Sequence, residues 1–363
     1  MKIVKVNLGE RSYNICIGTH VINRLPFLLK LNSPPPPIFV ITNKRIRVLH
    51  GPKLQKLLNR IGEKILFHEI PDSETAKSFP VYIKTIKVLS GFAKKAKPLI
   101  FAFGGGVVGD LAGFVASAYK RGVPYVQIPT TLLGQVDSAI GGKVAIDIQE
   151  AKNIVGNFYQ PKMVLCDLAF LRTLPEKEIR NGLVEVVKYG IIKDMELFLF
   201  LEKNVKEILR LNKKILEYII FKSCFIKAKV VAKDEFDIKD ARAILNFGHT
   251  IGHAVEAASR YAKSVTHGHA VALGMIASSL IALRLGILRE SDCTRISALV
   301  QRVAPRGKIK GLRLKAIIDA LSYDKKFIYG ENRFILPEKI GKVKIVDGIS
   351  DVLIKEVIEK ILL

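Results

Sequence analysis

Cysteine is scarce in this chain. Cys16, Cys166, Cys224 and Cys293 are the only four among 363 residues, with no CxxC and no close pair. That spacing argues against a disulfide framework or a cysteine zinc site and fits a reducing compartment. Long apolar runs are missing as well. The longest, Ala270 to Leu283, covers about fourteen residues and includes Gly274, Ser278 and Ser279. A membrane-spanning helix needs roughly twenty, so this stretch reads as a buried helix. The opening MKIVKVNLGERSYNICIG lacks the apolar core and small-residue cleavage site of a signal peptide, and reads as two alternating strands around Asn7–Glu10. A soluble, cytoplasmic protein with no membrane partner is the expectation.

Acidic side chains are outnumbered, 33 Asp and Glu against 58 Lys and Arg, for a net charge of +25. Such a surplus suits nucleic acid, an anionic membrane, anionic substrates or only a solvated lysine-rich exterior. No helix-turn-helix, zinc finger or aromatic-interleaved basic motif accompanies it. No nucleic-acid partner is therefore expected, and the surplus reads as solvated surface. Low-complexity sequence is confined to Pro34–Pro37, and no internal repeat is present. With 49% hydrophobic and 25% charged residues, the composition is that of a globular protein of about two domains.

The first part of the chain alternates between two periodicities. Ile38–Thr42, Ile65–Ile70, Leu99–Phe103, Tyr125–Ile128 and Met163–Cys166 read as strands. Helical patterns stand between them: through Leu54, Leu57 and Leu58, from Ser78-Phe79-Pro80 to about Ala96, and from about Val107 to Tyr119. Proline costs nothing in a first turn whose amides are unpaired. This predicts an α/β domain over residues 1–175, Rossmann-like with a mainly parallel sheet. From Glu176 to about Leu321 long helical periods take over, followed by a hairpin near Arg333–Leu336 and Lys342–Val346 and a last helix capped by Ser350. Residues 176–363 therefore read as a second, all-α domain that holds metal and substrate.

Gly104-Gly105-Gly106-Val107-Val108-Gly109 matches G-x-G-x-x-G between a strand and a helix. A glycine backbone there lets a pyrophosphate approach, and the helix N-terminus attracts it. The acidic residue expected about twenty positions on is absent, and the alternative is a tight turn that packs helix on sheet. His249 and His253 stand one helical turn apart, a spacing that suits a shared divalent metal, with His267 and His269 close behind. Without H-E-x-x-H, a metalloprotease would lack its base. Glu185, set among apolar residues, is either at a helix surface paired with Lys188 or buried and compensated by a metal or cation. A His/His/Glu set with an open position is catalytic zinc chemistry. Arg121, Lys143, Lys152, Lys188, Lys227, Arg242 and Lys325, with Asn153 and Asn246, cluster around these motifs and suit a small molecule bearing phosphate and carboxylate.

Nine segments, in order, resemble the 3-dehydroquinate synthases of the sugar-phosphate cyclase family: PDSETAKS (71–78), GGGVVGDLAGFVAS (104–117), RGVPYVQIPTTLL (121–133), QVDSAIGGK (135–143), KNIVGNFYQP (152–161), LVEVVKYG (183–190), LNFGHTIGHAVEA (245–257), HGHAVALG (267–274) and DKK (324–326). The resemblance implies an NAD- and divalent metal-dependent carbon–oxygen lyase of the shikimate pathway, which leads to chorismate and the aromatic amino acids. Its substrate would be 3-deoxy-D-arabino-heptulosonate 7-phosphate, and its products 3-dehydroquinate and phosphate. Family members oxidise a ring carbinol transiently, eliminate phosphate, re-reduce, open the ring and close it again by an aldol step, so NAD acts catalytically.

By position, Glu185, His249 and His267 resemble the family's metal ligands, with zinc the default and cobalt also suited. His253 then matches the acid–base histidine instead of sharing the metal with His249. Asn43, Glu74, Lys77, Gly105, Gly106, Val107, Asp110, Thr130, Thr131, Lys143, Lys152 and Thr173 match NAD positions. Asp137, Lys143, Lys152, Asn153, Lys188, Lys227, Arg242, Asn246, His253 and Lys325 match substrate-contacting positions, and Asp137, Lys143 and Asp237 join His253 as candidates for the chemistry. Arg121 matches a residue that reaches the neighbouring subunit's site, which implies a homodimer.

The chain departs from the family pattern at several places. His269 stands where a glutamate is usual, Asp237 ends a D-E-x-E element, Ala151 and Ser73 replace glycines, and Arg45 replaces an asparagine. None of these removes a ligand, so activity is expected, against the alternative of a metal-free paralogue. Other sugar-phosphate cyclases, the deoxy-inosose and valiolone synthases, are the nearest rivals. Basic Lys152, Lys227 and Arg242 favour the acidic heptulosonate over their substrates. A glycerol dehydrogenase-like enzyme would accumulate NADH.

Overall fold

A computed structural model describes residues 1–29, 34–62, 64–149, 151–259, 265–304, 312–322 and 332–362. They gather into two units, Met1–Leu174 with Leu216–Phe236, and Pro175–Ile215 with Asp237–Leu363. The chain thus leaves the first unit after Leu174, returns to it for one helix and leaves again at Asp237. Among the described residues, no helix is long and apolar enough to cross a membrane.

The first unit contains strands β1 (Lys2–Val6), β2 (Tyr13–Gly18), β3 (Ile38–Asn43), β4 (Ile65–Ile70), β5 (Leu99–Gly104), β6 (Tyr125–Pro129), β7 (Lys143–Ile146), β8 (Val155–Phe158) and β9 (Met163–Asp167). Seven of them form one sheet in the order β1-β2-β9-β6-β5-β3-β4. Only the β1–β2 pair is antiparallel. β3, β5, β6 and β9 are buried along their whole length, which is why IFVITN and LIFAFG read as unbroken apolar runs instead of alternating ones. β1, at the sheet's edge, does alternate.

Helices Lys44–Leu58, Phe79–Ala93 and Gly106–Ala118 stand between the strands. Asn43 caps the first, its side-chain oxygen accepting from the Ile46 N–H at 2.8 Å. The second starts with Pro80 in its first turn and ends at Ala93, three residues before the expected Ala96. Sequence periodicity overlooks the short antiparallel pair β7–β8. It lies hard against the glycine-loop helix, where a Cβ on Gly113 would fall 2.3 Å from Val144 Cγ1. The helix Lys213–Lys233 belongs largely to this unit.

The second unit is built on Glu176–Lys193, which is buried continuously from Ile179 to Ile192. Helices Met195–Leu209, His249–Ala258, His267–Arg284, Glu290–Val303, Leu314–Ser322 and Asp351–Leu362 accompany it, with one hairpin, β10 (Arg333–Lys339) and β11 (Lys342–Asp347). Two helices approach backbone to backbone: a Cβ on Gly274 would sit 1.9 Å from the Gly248 carbonyl oxygen, and one on Gly252 3.1 Å from Val271 Cα. Glycine is required at these crossings because any side chain would push the helices apart.

Candidate active site and metal centre

In the second unit, three helices converge on one carboxylate. Glu185 comes from the middle of Glu176–Lys193, His249 from the first turn of His249–Ala258, and His267 from the first turn of His267–Arg284. Gly268 lets the third helix in, since a Cβ there would meet the Asn181 carbonyl oxygen at 2.6 Å. Glu185 is fully buried, with its Oε1 3.6 Å from His249 Nε2 and 3.3 Å from His267 Nε2. Two ligands at about 2.0–2.1 Å from zinc at a tetrahedral angle are about 3.4 Å apart, so these spacings fit a single cation.

The ring nitrogens turned away from Glu185 also have partners. His249 Nδ1 lies 3.1 Å from the Phe247 carbonyl oxygen, and His267 Nδ1 lies 3.3 Å from Glu256 Oε2. A proton on each Nδ1 makes both Nε2 atoms available to ligate a cation that Glu185 also holds, the arrangement found around metal-bound histidines. Burial, and then the Lys188 cation, push His249 well below the ordinary histidine pKa. Burial alone would lower His267 too, but Glu185 and Glu256 outweigh it and raise its pKa to about 10. Lys188 Nζ is ion-paired with Glu185 Oε2. Glu185 is therefore buried, not at a helix surface, and Lys188 is a cation that compensates it.

His253 is exposed, its ring 5.3 Å from that of His249 and 6.4 Å from that of His267. Two groups among the described residues have donor spacing suited to a metal: Glu185–His249–His267 and His253–Glu256–His267. Neither joins His249 to His253, so the one-turn spacing does not make a chelating pair. Neither includes His269, a half-buried side chain whose pKa is lowered by burial and by Lys177. Glu256 carries no sequence signal by itself. It is found only by counting seven residues, two helical turns, on from His249.

In the first unit, β5 runs through the glycine loop into Gly106–Ala118, a helix whose N-terminus has no side-chain cap. The Thr130 N–H donates to the Gly104 carbonyl at 2.9 Å, while the Thr130 hydroxyl is buried with no hydrogen-bond partner among the described residues. Thr131 Oγ1 accepts from the Gly134 N–H at 3.0 Å. Uncapped amides, a buried hydroxyl and bare glycines together fit a pyrophosphate.

Beside this loop Lys77, only 3% exposed, faces three carboxylates. Its Nζ is 3.0 Å from Asp110, 3.5 Å from Glu74 and 3.7 Å from Asp147, and it donates to Asn153 Oδ1. Burial would lower its pKa, but Asp110 first, then Glu74 and Asp147, outweigh that and hold it above the usual lysine value. Lys152 Nζ approaches Glu74 at 3.7 Å. Glu74, Lys77, Asp110, Lys152 and Asn153 are thus one cluster.

Asp137 lies in the turn Gly134–Ser138 and accepts from Lys227 Nζ at 2.7 Å. Lys143, at the head of β7, is exposed with its Nζ 5.9 Å from the Phe158 ring centre. Thr173 Oγ1 meets His50 Nε2 at 2.9 Å. Asn43 gives its oxygen to the helix cap and its amide to Asp72 at 2.7 Å. Arg121 is exposed with φ 62°. In the second unit Arg242 is buried, Asn246 closes the short turn Ala243–Asn246, and Asp237 adopts a left-handed φ of 58°. Lys325 lies outside the described residues.

Two family models match this sequence, 3-dehydroquinate synthase N-terminal over residues 67–181 and 3-dehydroquinate synthase C-terminal over residues 182–327. The 3-dehydroquinate synthase of Caldanaerobacter subterraneus subsp. tengcongensis is 44% identical over 95% of the chain and 97% of its own length. The chain belongs to the 3-dehydroquinate synthase family. Among solved structures, the 2-epi-5-epi-valiolone synthase of Streptomyces hygroscopicus subsp. jinggangensis, with NAD+ and Zn2+ bound, superposes with a TM-score of 0.88 at 26% identity over 98% of each chain. A 2-deoxy-scyllo-inosose synthase complexed with carbaglucose-6-phosphate, NAD+ and Co2+ gives 0.88 at 25% identity over 99% of each. The fold is that of the sugar-phosphate cyclases, as the resemblance implied.

Proposed function

We infer that this chain catalyses the 3-dehydroquinate synthase reaction, converting 3-deoxy-D-arabino-heptulosonate 7-phosphate to 3-dehydroquinate and inorganic phosphate with NAD and a divalent metal ion. The observation that carries this reading is buried Glu185 facing His249 and His267 at tetrahedral spacing in a chain of this family. When bound, zinc or cobalt supplies a Lewis acid for a substrate oxygen, and NAD accepts and returns one hydride.

The chain's own residues do the rest. In the first unit, the uncapped amides of Gly106–Ala118 and Thr130 hold the pyrophosphate, while Glu74, Lys77 and Asp110 order the neighbouring cofactor contacts. Lys143, Lys152 and Asn153 bind substrate oxygens, and Lys227 fixes Asp137 for contact with the substrate. In the second unit, Lys188, Arg242 and Asn246 bind substrate. His253, exposed beside the two ligand histidines, moves protons as general acid and base. Arg121 serves the site of the neighbouring subunit in a homodimer, and the enzyme works in the cytoplasm.

Phosphate release from the heptulosonate phosphate by chelator-treated protein, with and without zinc and NAD, tests the assignment. Release that requires both, with no accumulating NADH, is the expected result. Accumulating NADH would make the chain a dehydrogenase on this fold, and no turnover would overturn the reading. Mixing inactive Arg121→Ala and His253→Ala proteins should restore part of the activity if subunits share sites; no recovery would remove the role given to Arg121.

A further inference from the structure

We propose that Glu256 is a positioning residue for the metal ligand His267, holding the ring in the tautomer and orientation that present Nε2 to the cation. The inference rests on the metal reading above. His267 is the more loosely held of the two ligand histidines: its side chain is 29% exposed against 10% for His249. The fold fixes His249 from behind through a main-chain group, the Phe247 carbonyl, whereas His267 relies on a side chain, Glu256 Oε2 at 3.3 Å. Glu256 lies seven residues after His249 on the same helix, so one helix supplies a ligand and the outer partner of another ligand. The carboxylate is 12% exposed, shielded enough for a charge-assisted hydrogen bond to persist.

The second donor group, His253–Glu256–His267, would require both ring nitrogens of His267 to bind metal at once if two cations were resident. Imidazole keeps a proton on one nitrogen when it ligates through the other, so the geometry assigns Glu256 to that proton and not to a second ion.

The test compares Zn2+ affinity, Co2+ absorption spectra and bound-metal stoichiometry of the full-length protein with those of Glu256→Ala and Glu256→Gln. Outer partners of this kind are worth about 10–100-fold in metal affinity. The alanine variant should lose that much and show a shifted visible Co2+ spectrum. The glutamine variant, which keeps an acceptor oxygen, should recover part of the loss. Affinity of the alanine variant within twofold of the parent's would overturn the inference. So would two cations in the parent falling to one in the variant, which would make Glu256 a ligand. Equal losses in both variants with lowered melting of the metal-free forms would reduce Glu256 to a structural role. A parent that binds no cation would sink the metal reading itself.

Discussion

Lys227 reaches across ninety residues of sequence to set its ammonium 2.7 Å from Asp137 Oδ1 and 2.8 Å from the same residue's carbonyl oxygen. Three residues earlier on the same helix, the buried Cys224 donates to the Gln135 carbonyl at 3.2 Å. The turn Gly134–Ser138 is thereby gripped at two points by Lys213–Lys233. Replacing Lys227 by methionine keeps the buried stem and removes the grip on Asp137. We expect a loss of about 1–3 kcal/mol in urea unfolding, the cost of stripping a charged hydrogen bond from a partly buried carboxylate, and a fall in kcat/KM of tenfold or more. Unchanged unfolding would mean that water replaces the ammonium freely.

Lys77 faces three carboxylates, of which Glu74 also has Lys152 at 3.7 Å. The pKa of Lys77 is held above the ordinary lysine value, so its contribution is fully present below that value and is lost only as pH rises through the higher folded one. Stability between pH 6 and 9 should therefore not vary on its account. In Lys77→Met, Asp110, Glu74 and Asp147 keep only Lys152, 3.7 Å from Glu74, as a nearby cation. Removing one partner of a buried pair costs about 3–5 kcal/mol, an upper bound here because Glu74 is well exposed. The deficit should shrink on acidification towards the carboxylate range, where protonation relieves the repulsion, and NAD should bind more weakly. Chemical denaturation at pH 5 and pH 8 checks both signs; a deficit independent of pH would contradict the electrostatic account.

His68, in the first unit, gives a second pH test. Its ring is buried, stacked on Phe39 at 5.6 Å between centroids, and paired through Nε2 with Thr85 Oγ1 at 3.1 Å. Burial, then the Lys84 charge, lower its pKa from 6.5. A depressed histidine favours the neutral form in the folded state. Its contribution is complete above pH 6.5 and erodes as pH falls towards the folded pKa. Between those values His68→Gln should show a shallower loss of thermal stability than the parent, although it starts lower at pH 8. Parallel curves would show that His68 stays neutral in both states or that the other histidines carry the acid transition.

How far the sequence reveals all this depends on the kind of signal. β3 and β5 are legible because strands buried on both faces leave continuous apolar runs. The strands β7 and β8 are not, being four residues each, with Gly156 and Asn157 interrupting the apolar pattern of the second. Lys213–Lys233 reads correctly as a helix, but periodicity does not say which core it enters; that is decided by distant partners such as Asp137 and Gln135. At the metal centre, the i,i+3 relation of Glu185 and Lys188 is visible in sequence, as is the histidine cluster. That Glu185 meets His249 and His267 was legible only through family resemblance, because helix crossings set by Gly268 and Gly274 leave no periodic trace.

Gly274 links that packing to the chemistry. A methyl group placed there would lie 1.9 Å from the Gly248 carbonyl oxygen and 2.9 Å from Gly252 N, both backbone atoms that no rotamer change can move. The helices His249–Ala258 and His267–Arg284 must separate or tilt to accept it, and overpacking of this kind typically costs about 1–3 kcal/mol, sometimes more. The damage should not stop at stability. His249 and His267 begin these two helices, so separation widens the spacing of their Nε2 atoms around Glu185 Oε1, now 3.6 and 3.3 Å. Gly274→Ala should therefore lose metal affinity together with thermal stability, whereas Gly286→Ala, at a position where a Cβ meets nothing within 4 Å but φ is 68°, should lose only the strain energy of that backbone. Metal titration of both variants at a temperature where each remains folded separates the two effects. Parent-like affinity in Gly274→Ala would show that the ligand spacing is set locally by Asn181 and Gly268 and not by the helix crossing.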